Sequence, residues 1–254
     1  MTLSLEGIPL ANSLLCRLDP RWKLIALAPP LLVIVLIRSL PVSITALGCT
    51  WALVLLSRLP LSWYYKRIKL LAAFLALFVI TSPLLVAGEG SSLHLGPFTA
   101  SWAGLTLGIM LLAKALALAS LVLVLLGTTQ LEAIFKAAHA LYVPGLVVQL
   151  AMMTYRYVFT FARELARMRV AIRVRGYRNR VRRHSYRTVG HVAGTLLVRG
   201  YERAERVGHA MRCRGFDGQF RSLVEFQTTV KDILALCIAG VVSAGLLVWD
   251  GYLV

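Results

Sequence analysis

The chain has 254 residues, 58% of them hydrophobic, and a formal net charge of +17, with a mean hydropathy of +0.74. That hydropathy excludes an ordinary soluble domain and points to a polytopic membrane protein. Cys16, Cys49, Cys213 and Cys237 show no paired spacing, so neither a disulfide framework nor a zinc module is indicated, and small buried apolar residues are their expected role.

Residues 1–21 lack an apolar core, so no cleavable leader is expected and the first apolar run, 22–37, serves as an anchor. Its Pro29-Pro30 pair predicts a kink whose freed carbonyls are satisfied by neighbouring helices. Asp19 stands where it can cap that helix, with Pro20 at the first helical position, and Arg21 or Lys23 is a possible structural partner. Further apolar runs cover 40–56, 70–87, 98–126 and 233–248. A span needs about 20 apolar residues, which the shorter runs reach only with their polar flanks. The fourth run reads equally as one long tilted helix or two shorter pieces. Lys114 lies near its middle. An intramembrane charge is a candidate transport residue. The favoured reading is a long stem reaching the interface from a tilted helix.

The positive charge is concentrated. Between Arg163 and Arg214 stand fifteen arginines, no lysine and three acids, Glu164, Glu202 and Glu205. Arg58, Lys66, Arg67 and Lys69 make a second basic segment, whereas 88–97 has no Lys or Arg and carries Glu89. The positive-inside rule then puts the amino terminus and both basic segments in the cytoplasm and 88–97 outside, with five spans.

After the fourth run the character of the chain changes. Thr128-Thr129 can cap a short helix through His139, and Pro144 can open the next one. That helix is apolar to about Phe161 and arginine-rich beyond, and Arg178–Arg183 form a basic connector. A further helix is predicted from about Tyr186 to Arg214. Ala193, Leu197, Gly200, Ala204, Val207 and Met211 make a 4-3-4-3-4 stripe along it. Gly200 and Ala204 are its expected contact points with another helix, and Glu202 and Arg206 are an i,i+4 pair on its polar side.

Within this region a seven-residue element recurs. Ala171-Ile172-Arg173-Val174-Arg175-Gly176-Tyr177 returns 39 residues later as Ala210-Met211-Arg212-Cys213-Arg214-Gly215-Phe216. Glycine commonly follows a helix end in the left-handed conformation, so each Arg-Gly pair is expected to close a helix. Arg175 and Arg214 would then project from last turns, where helices favour cations. One Arg-Gly dipeptide alone is an ordinary helix end carrying positive-inside charge; the recurrence is what raises it. Arg173 and Arg212, two residues back, point to another face, toward lipid phosphates or the rim of a partner.

The remaining polar residues offer little chemistry. His94, His139, His184, His191 and His209 form no H-x-x-x-H or Cys/His pair, so no metal site is predicted. Asp19, Asp217, Asp232 and Asp250 are not paired at helical spacing, no Walker-type glycine loop is present, and no cofactor is expected. The arginine run invites a nucleic-acid reading. The flanking spans make anionic lipid the nearer partner and nucleic acid is not expected.

Three segments resemble a known family. They are Leu18-Asp19-Pro20-Arg21-Trp22-Lys23-Leu24, then Met153-Thr154-Tyr155-Arg156-Tyr157 continuing to Arg175-Gly176, and Glu202-Arg203-Ala204-Glu205-Arg206 running into Ala210–Gly218. With the pattern of spans they resemble the transmembrane T component of energy-coupling factor transporters, specifically the CbiQ-type subunit of cobalt and nickel importers. The resemblance implies coupling helices ending in Ala-Arg-Ser or Ala-Arg-Gly, whose arginines dock in grooves of ABC-type ATPases. It assigns that role here to Arg175 with Gly176 and Arg214 with Gly215, Arg173 and Arg212 being auxiliary. Val174 and Cys213 stand where alanine is usual. The resemblance also implies two ATPase copies and a separate substrate-binding membrane subunit that carries the metal site.

The sequence therefore predicts an all-α polytopic membrane protein of about five transmembrane helices plus two or three long cytoplasmic coupling helices. Residues 1–127 form a four-span membrane domain, 128–230 the coupling helices with their two tips, and 231–254 a last span. The expected role is non-catalytic transmission for import of a divalent metal, cobalt first and nickel next, in a bacterial or archaeal cell membrane. The alternative is a membrane enzyme that clamps lipid or isoprenoid phosphates with its arginines, although such an enzyme normally needs clustered carboxylates.

Overall fold

A computed structural model describes residues 18–85, 92–95, 98–178, 180–218 and 228–253. Among these the chain forms eight helices and one short ribbon: α1 (Pro20–Leu36), α2 (Leu40–Leu56), α3 (Leu61–Leu85), β1 (Ser92–Leu95), β2 (Phe98–Ser101), α4 (Trp102–Thr128), α5 (Leu131–Ala140), α6 (Gly145–Val174), α7 (Arg183–Cys213) and α8 (Val230–Leu253). The protein is all-α and of membrane type. Two compact units are present, one holding Ala138–Val224 and the other the helices before and after it.

In the second unit, α4 and α8 are each long and apolar enough to cross a membrane, and α2 is a shorter apolar helix. The outward faces of α3 and α8 carry large exposed side chains, among them Leu70 at 79%, Phe74 at 72% and Val241 at 73%. Such faces are costly in water and suit acyl chains. Cys49 and Cys237 lie exposed on α2 and α8 and Cys213 in the last turn of α7, so the expected burial of these cysteines is not found. On a lipid-facing surface nothing drives a thiol inward. Cys16 lies outside the described residues.

The larger core cluster of this unit comes from four helices. Ile34 and Ile37 at the end of α1 meet Val42 and Ala46 of α2, Ala117 and Leu121 of α4, and Leu246 of α8. A second cluster joins Val54, Leu59, Tyr64 and Val124, where the Tyr64 hydroxyl and Ser120 Oγ share a hydrogen bond of 2.8 Å. Helices α3 and α4 approach closely. A Cβ on Gly104 would stand 2.7 Å from Pro83 Cα, and one on Gly108 would strike Ser82. The spacing of these glycines is the small-xxx-small pattern by which membrane helices pack closely.

The fourth apolar run is one helix that begins at Trp102. Phe98–Ser101 instead pair antiparallel with Ser92–Leu95, Leu95 opposite Phe98, within the segment expected to be an outside loop; the rest of that loop lies outside the described residues. Helix α1 runs through Pro29 and Pro30 as one element. Pro20 begins it, and the Asp19 carboxylate accepts from Arg21 N at 3.1 Å, the cap expected from sequence.

Lys114 is half-buried. Its Nζ donates to the carbonyl of Val35 at 3.3 Å. The final carbonyls of a helix lack intrahelical partners and attract cations, so the end of α1 suits the ammonium. Beside it, the Asp250 carboxylate accepts from the backbone N–H groups of Arg38 and Ser39 at 2.9–3.2 Å, capping α2.

Candidate functional site

The two recurring Arg-Gly elements end the two longest helices. Helix α6 has 30 residues and starts after Pro144, which occupies the capping position rather than the first helical one. Helix α7 has 31 residues and starts after the exposed Arg182. Gly176 and Gly215 sit at φ +83° and +76°, the left-handed region that glycine enters without a Cβ penalty. Tyr177 N donates to Ile172 O at 3.1 Å and Gly176 N to Arg173 O at 3.0 Å; Phe216 N donates to Met211 O at 3.1 Å and Gly215 N to Arg212 O at 3.0 Å.

Each pair of bonds is a Schellman cap, whose geometry sets an apolar residue at the positions of Ile172 and Tyr177, and of Met211 and Phe216. The cap thus accounts for three of the seven recurring positions. It places no demand on Arg175 or Arg214, which stand at the last half-helical position. Both arginines are exposed, as are Arg173 and Arg212. Arg175 and Arg214 have no ion-pair partner among the described residues. Arg212 Nη2 lies 3.2 Å from His209 Nδ1. Arg173 lines a cleft of about 440 Å³ between α6 and α7 with Arg169, Ile172, Tyr177 and Val189.

The two helices cross at Gly200. A Cβ there would stand 3.2 Å from Phe161 Cζ, so the missing side chain is the socket for that ring. Beside the crossing, the buried Glu164 holds Arg199 Nη1 at 2.6 Å and Arg203 Nη2 at 3.8 Å, and the Arg203 guanidinium lies 5.9 Å from the Phe161 ring centroid. The Arg199 hydrogen bond, against the effect of burial, holds the Glu164 carboxyl below the ordinary glutamate range, with the charges of Arg199, Arg203 and Arg167 adding to it.

The crossing falls at equivalent points of the two repeats. The 39-residue offset carries Phe161 onto Gly200 and Glu164 onto Arg203. Arg175 is therefore 14 residues beyond Phe161, and Arg214 is 14 beyond Gly200. At 1.5 Å per residue each tip stands about 21 Å along its helix from the crossing.

Of the two expected packing residues, Gly200 is at the crossing and Ala204 is exposed. Ala193 and Leu197 of the stripe are also exposed, while its Val207 and Met211 are half-buried, as are Val192, Leu196 and Arg203 outside it. The contacting face departs from the stripe at its first half and at Arg203, a polar residue that takes the place expected for Ala204. A stripe of apolar and small residues cannot register that. Glu202 and Arg206 are not among the ion pairs of the described residues. Glu164, Arg199 and Arg203 were missed as a group. The available signal was that Glu164 is the lone acid of the α6 sequence.

Among the described residues no three His, Cys, Asp or Glu side chains converge as a metal site. His139 Nδ1 lies 3.2 Å from Val143 O, and His184, His191 and His209 are exposed.

Residues 11–225 match the family described as cobalt transport protein, CbiQ. The chain belongs to the CbiQ family. Its relatives include an uncharacterised protein of Methanocaldococcus jannaschii, 25% identical over 94% of this chain and 84% of that one. An energy-coupling factor transporter transmembrane protein, EcfT, of Heliobacterium modesticaldum is 28% identical over 84% of this chain and 83% of its own. The cobalt transport protein CbiQ of Rhodobacter capsulatus is 32% identical over 41% of this chain and 44% of its own. A CbiQ-family chain is a membrane component of a transporter and not a catalytic subunit.

Proposed function

We propose that this chain is the transmission subunit of an energy-coupling factor importer that carries cobalt, with nickel the next candidate. The observation that carries the reading is the pair of matching caps, each offering an exposed arginine at the same distance from one crossing. Two equivalent tips suit two copies of an ABC-type ATPase. A guanidinium suits the contact because its planar fork holds a carboxylate in a bidentate pair, which an ammonium cannot do. As the ATPases close and part, Arg175 and Arg214 follow them, α6 and α7 scissor about Phe161 and Gly200, and the motion passes to a separate membrane subunit that holds the metal.

In this reading residues 1–127 are the four-span membrane domain, 128–230 the cytoplasmic coupling segment and 231–254 the last span, all in a bacterial or archaeal cell membrane. The amino terminus and both tips face the cytoplasm. Arg178, Arg180, Arg182 and Arg183, exposed between α6 and α7, meet anionic headgroups, each adding about 1 kcal/mol near such a surface.

The test is co-purification and uptake. Arg175→Ala and Arg214→Ala should each reduce ATPase retained on the tagged chain, and the double change should do so more severely. Losing one member of a buried interfacial charge pair costs about 2–5 kcal/mol. Membrane insertion should be unaffected. Normal cobalt uptake by the double variant would sink the proposal.

A further inference from the structure

The start of α1 holds both segments by which the chain leaves the membrane helices and returns to them. Lys23, 5% exposed, donates through Nζ to Thr129 Oγ1 at 3.0 Å, Thr128 O at 3.3 Å and Thr128 Oγ1 at 3.4 Å. Thr128 and Thr129 end α4 and precede α5, the way out to the unit that bears the tips. Four residues earlier in α1's start, Asp19 N donates to Asp232 Oδ1 at 3.0 Å, and the other Asp232 oxygen accepts from Thr229 N at 2.8 Å. Trp22 Nε1 donates to Thr228 Oγ1 at 3.3 Å. Thr228 and Thr229 are the last residues of the way back, just before α8.

Asp232 is 2% exposed, and its carboxylate reaches back three residues to the backbone N–H of Thr229 just before α8. Two helix starts, of α1 and α8, therefore share one carboxylate. A buried ammonium among hydroxyls is an expensive way to hold helices together; an apolar side chain of similar volume is often as stabilising or more so. Lys23 joins this helix start to two threonines. What it supplies is position: five consecutive residues, Asp19 to Lys23, fasten the outgoing and the returning segment to one helix end, and α1 in turn packs on α4 and α8.

We propose that Asp19–Lys23 is a clamp that delivers motion of the tip-bearing helices to α1, with Lys23 and Asp232 as positioning residues for transport. Loose connecting segments would absorb a displacement before passing it on. Segments pinned at both places to α1 pass it directly to the packed spans. This inference rests on the transmission reading above.

The test uses Lys23→Met, with Thr129→Ala as a second variant that keeps the lysine and removes its nearest acceptor. Two measurements are needed. Amide hydrogen exchange on the purified chain alone should rise at residues 128–134 in both variants while α6 and α7 keep wild-type protection. In proteoliposomes containing the whole transporter, each variant should retain its ATPase subunits and keep hydrolysing ATP. Cobalt ions imported per ATP should fall about fivefold or more, the lower end of typical coupling between sites. Unchanged exchange would mean these bonds do not hold the segment. Raised exchange with an unchanged ion-to-ATP ratio would mean the clamp is only structural. Either result overturns the inference. Wild-type chain that retains no ATPase would instead defeat the transmission reading on which it rests, and the inference with it.

Discussion

At Gly176 and Gly215 the positive φ leaves no room for a Cβ without strain, whatever the space around it. An L-residue held there costs about 1–2 kcal/mol. Gly176→Ala and Gly215→Ala should therefore loosen the last turn and misdirect the adjacent arginine, reducing ATPase retention with the arginine still present. Retention equal to wild type in both variants would separate the caps from docking. Glu164 gives a pH-dependent expectation. Its carboxyl is held below the ordinary value near 4.5, so the unfolded state binds the proton more readily than the folded one. The stabilisation it supplies is present above about pH 4.5 and is lost as pH falls through the lower folded value. Spin labels at Val174→Cys and the native Cys213, with the other cysteines replaced, report the separation of the tips. That distance distribution should broaden on acidification below pH 4.5 in the wild type. In Glu164→Gln it should already be broad at neutral pH and respond little to acid.

Helices α6 and α7 meet at one crossing and not along a seam, so a small number of atoms sets the angle between them. Gly200→Leu drives a side chain into the Phe161 ring, and overpacking of this kind costs roughly 1–3 kcal/mol and shifts backbone. The assembled complex should import slowly, with an altered distance between the labels at 174 and 213. Ala204→Leu should leave that distance unchanged, because Ala204 is exposed. An equal response of the two variants would mean that the crossing is not where Gly200 meets Phe161. The same logic holds in the membrane helices. Gly104 stands against the backbone of Ser82 and Pro83, which cannot rotate away as a phenyl ring can, so Gly104→Leu should reduce the yield of folded protein where Gly200→Leu reduces only transport.

The molecule divides a polar, arginine-rich unit from an apolar one. Purified alone, the chain should not hydrolyse ATP, since the sequence has no phosphate-cradling glycine loop. It should not bind Co²⁺ or Ni²⁺ specifically either, since no ligand set converges among the described residues. Calorimetry on the isolated subunit checks this. Stoichiometric micromolar binding, abolished by changing one or two histidines, would move the substrate site into this chain. Specific binding is expected only with the substrate-binding subunit present.

Features set by neighbouring residues were readable from the chain by itself. Hydropathy gave the membrane class and the helical runs, Pro20 and Asp19 the start of α1, and the Arg-Gly recurrence the ends of α6 and α7, because caps are built from residues within six positions of one another. Features set by distant residues were not. That Phe161 fills the space over Gly200, that Glu164 answers Arg199 and Arg203, that Ala204 faces outward, and that Lys114 finds the carbonyl of Val35 all depend on which helix faces arrive beside each other. Periodicity along one helix names candidate faces and is silent on their partners. Only the tertiary packing, by bringing residues 35 to 213 positions apart into contact, decided which of those faces is used.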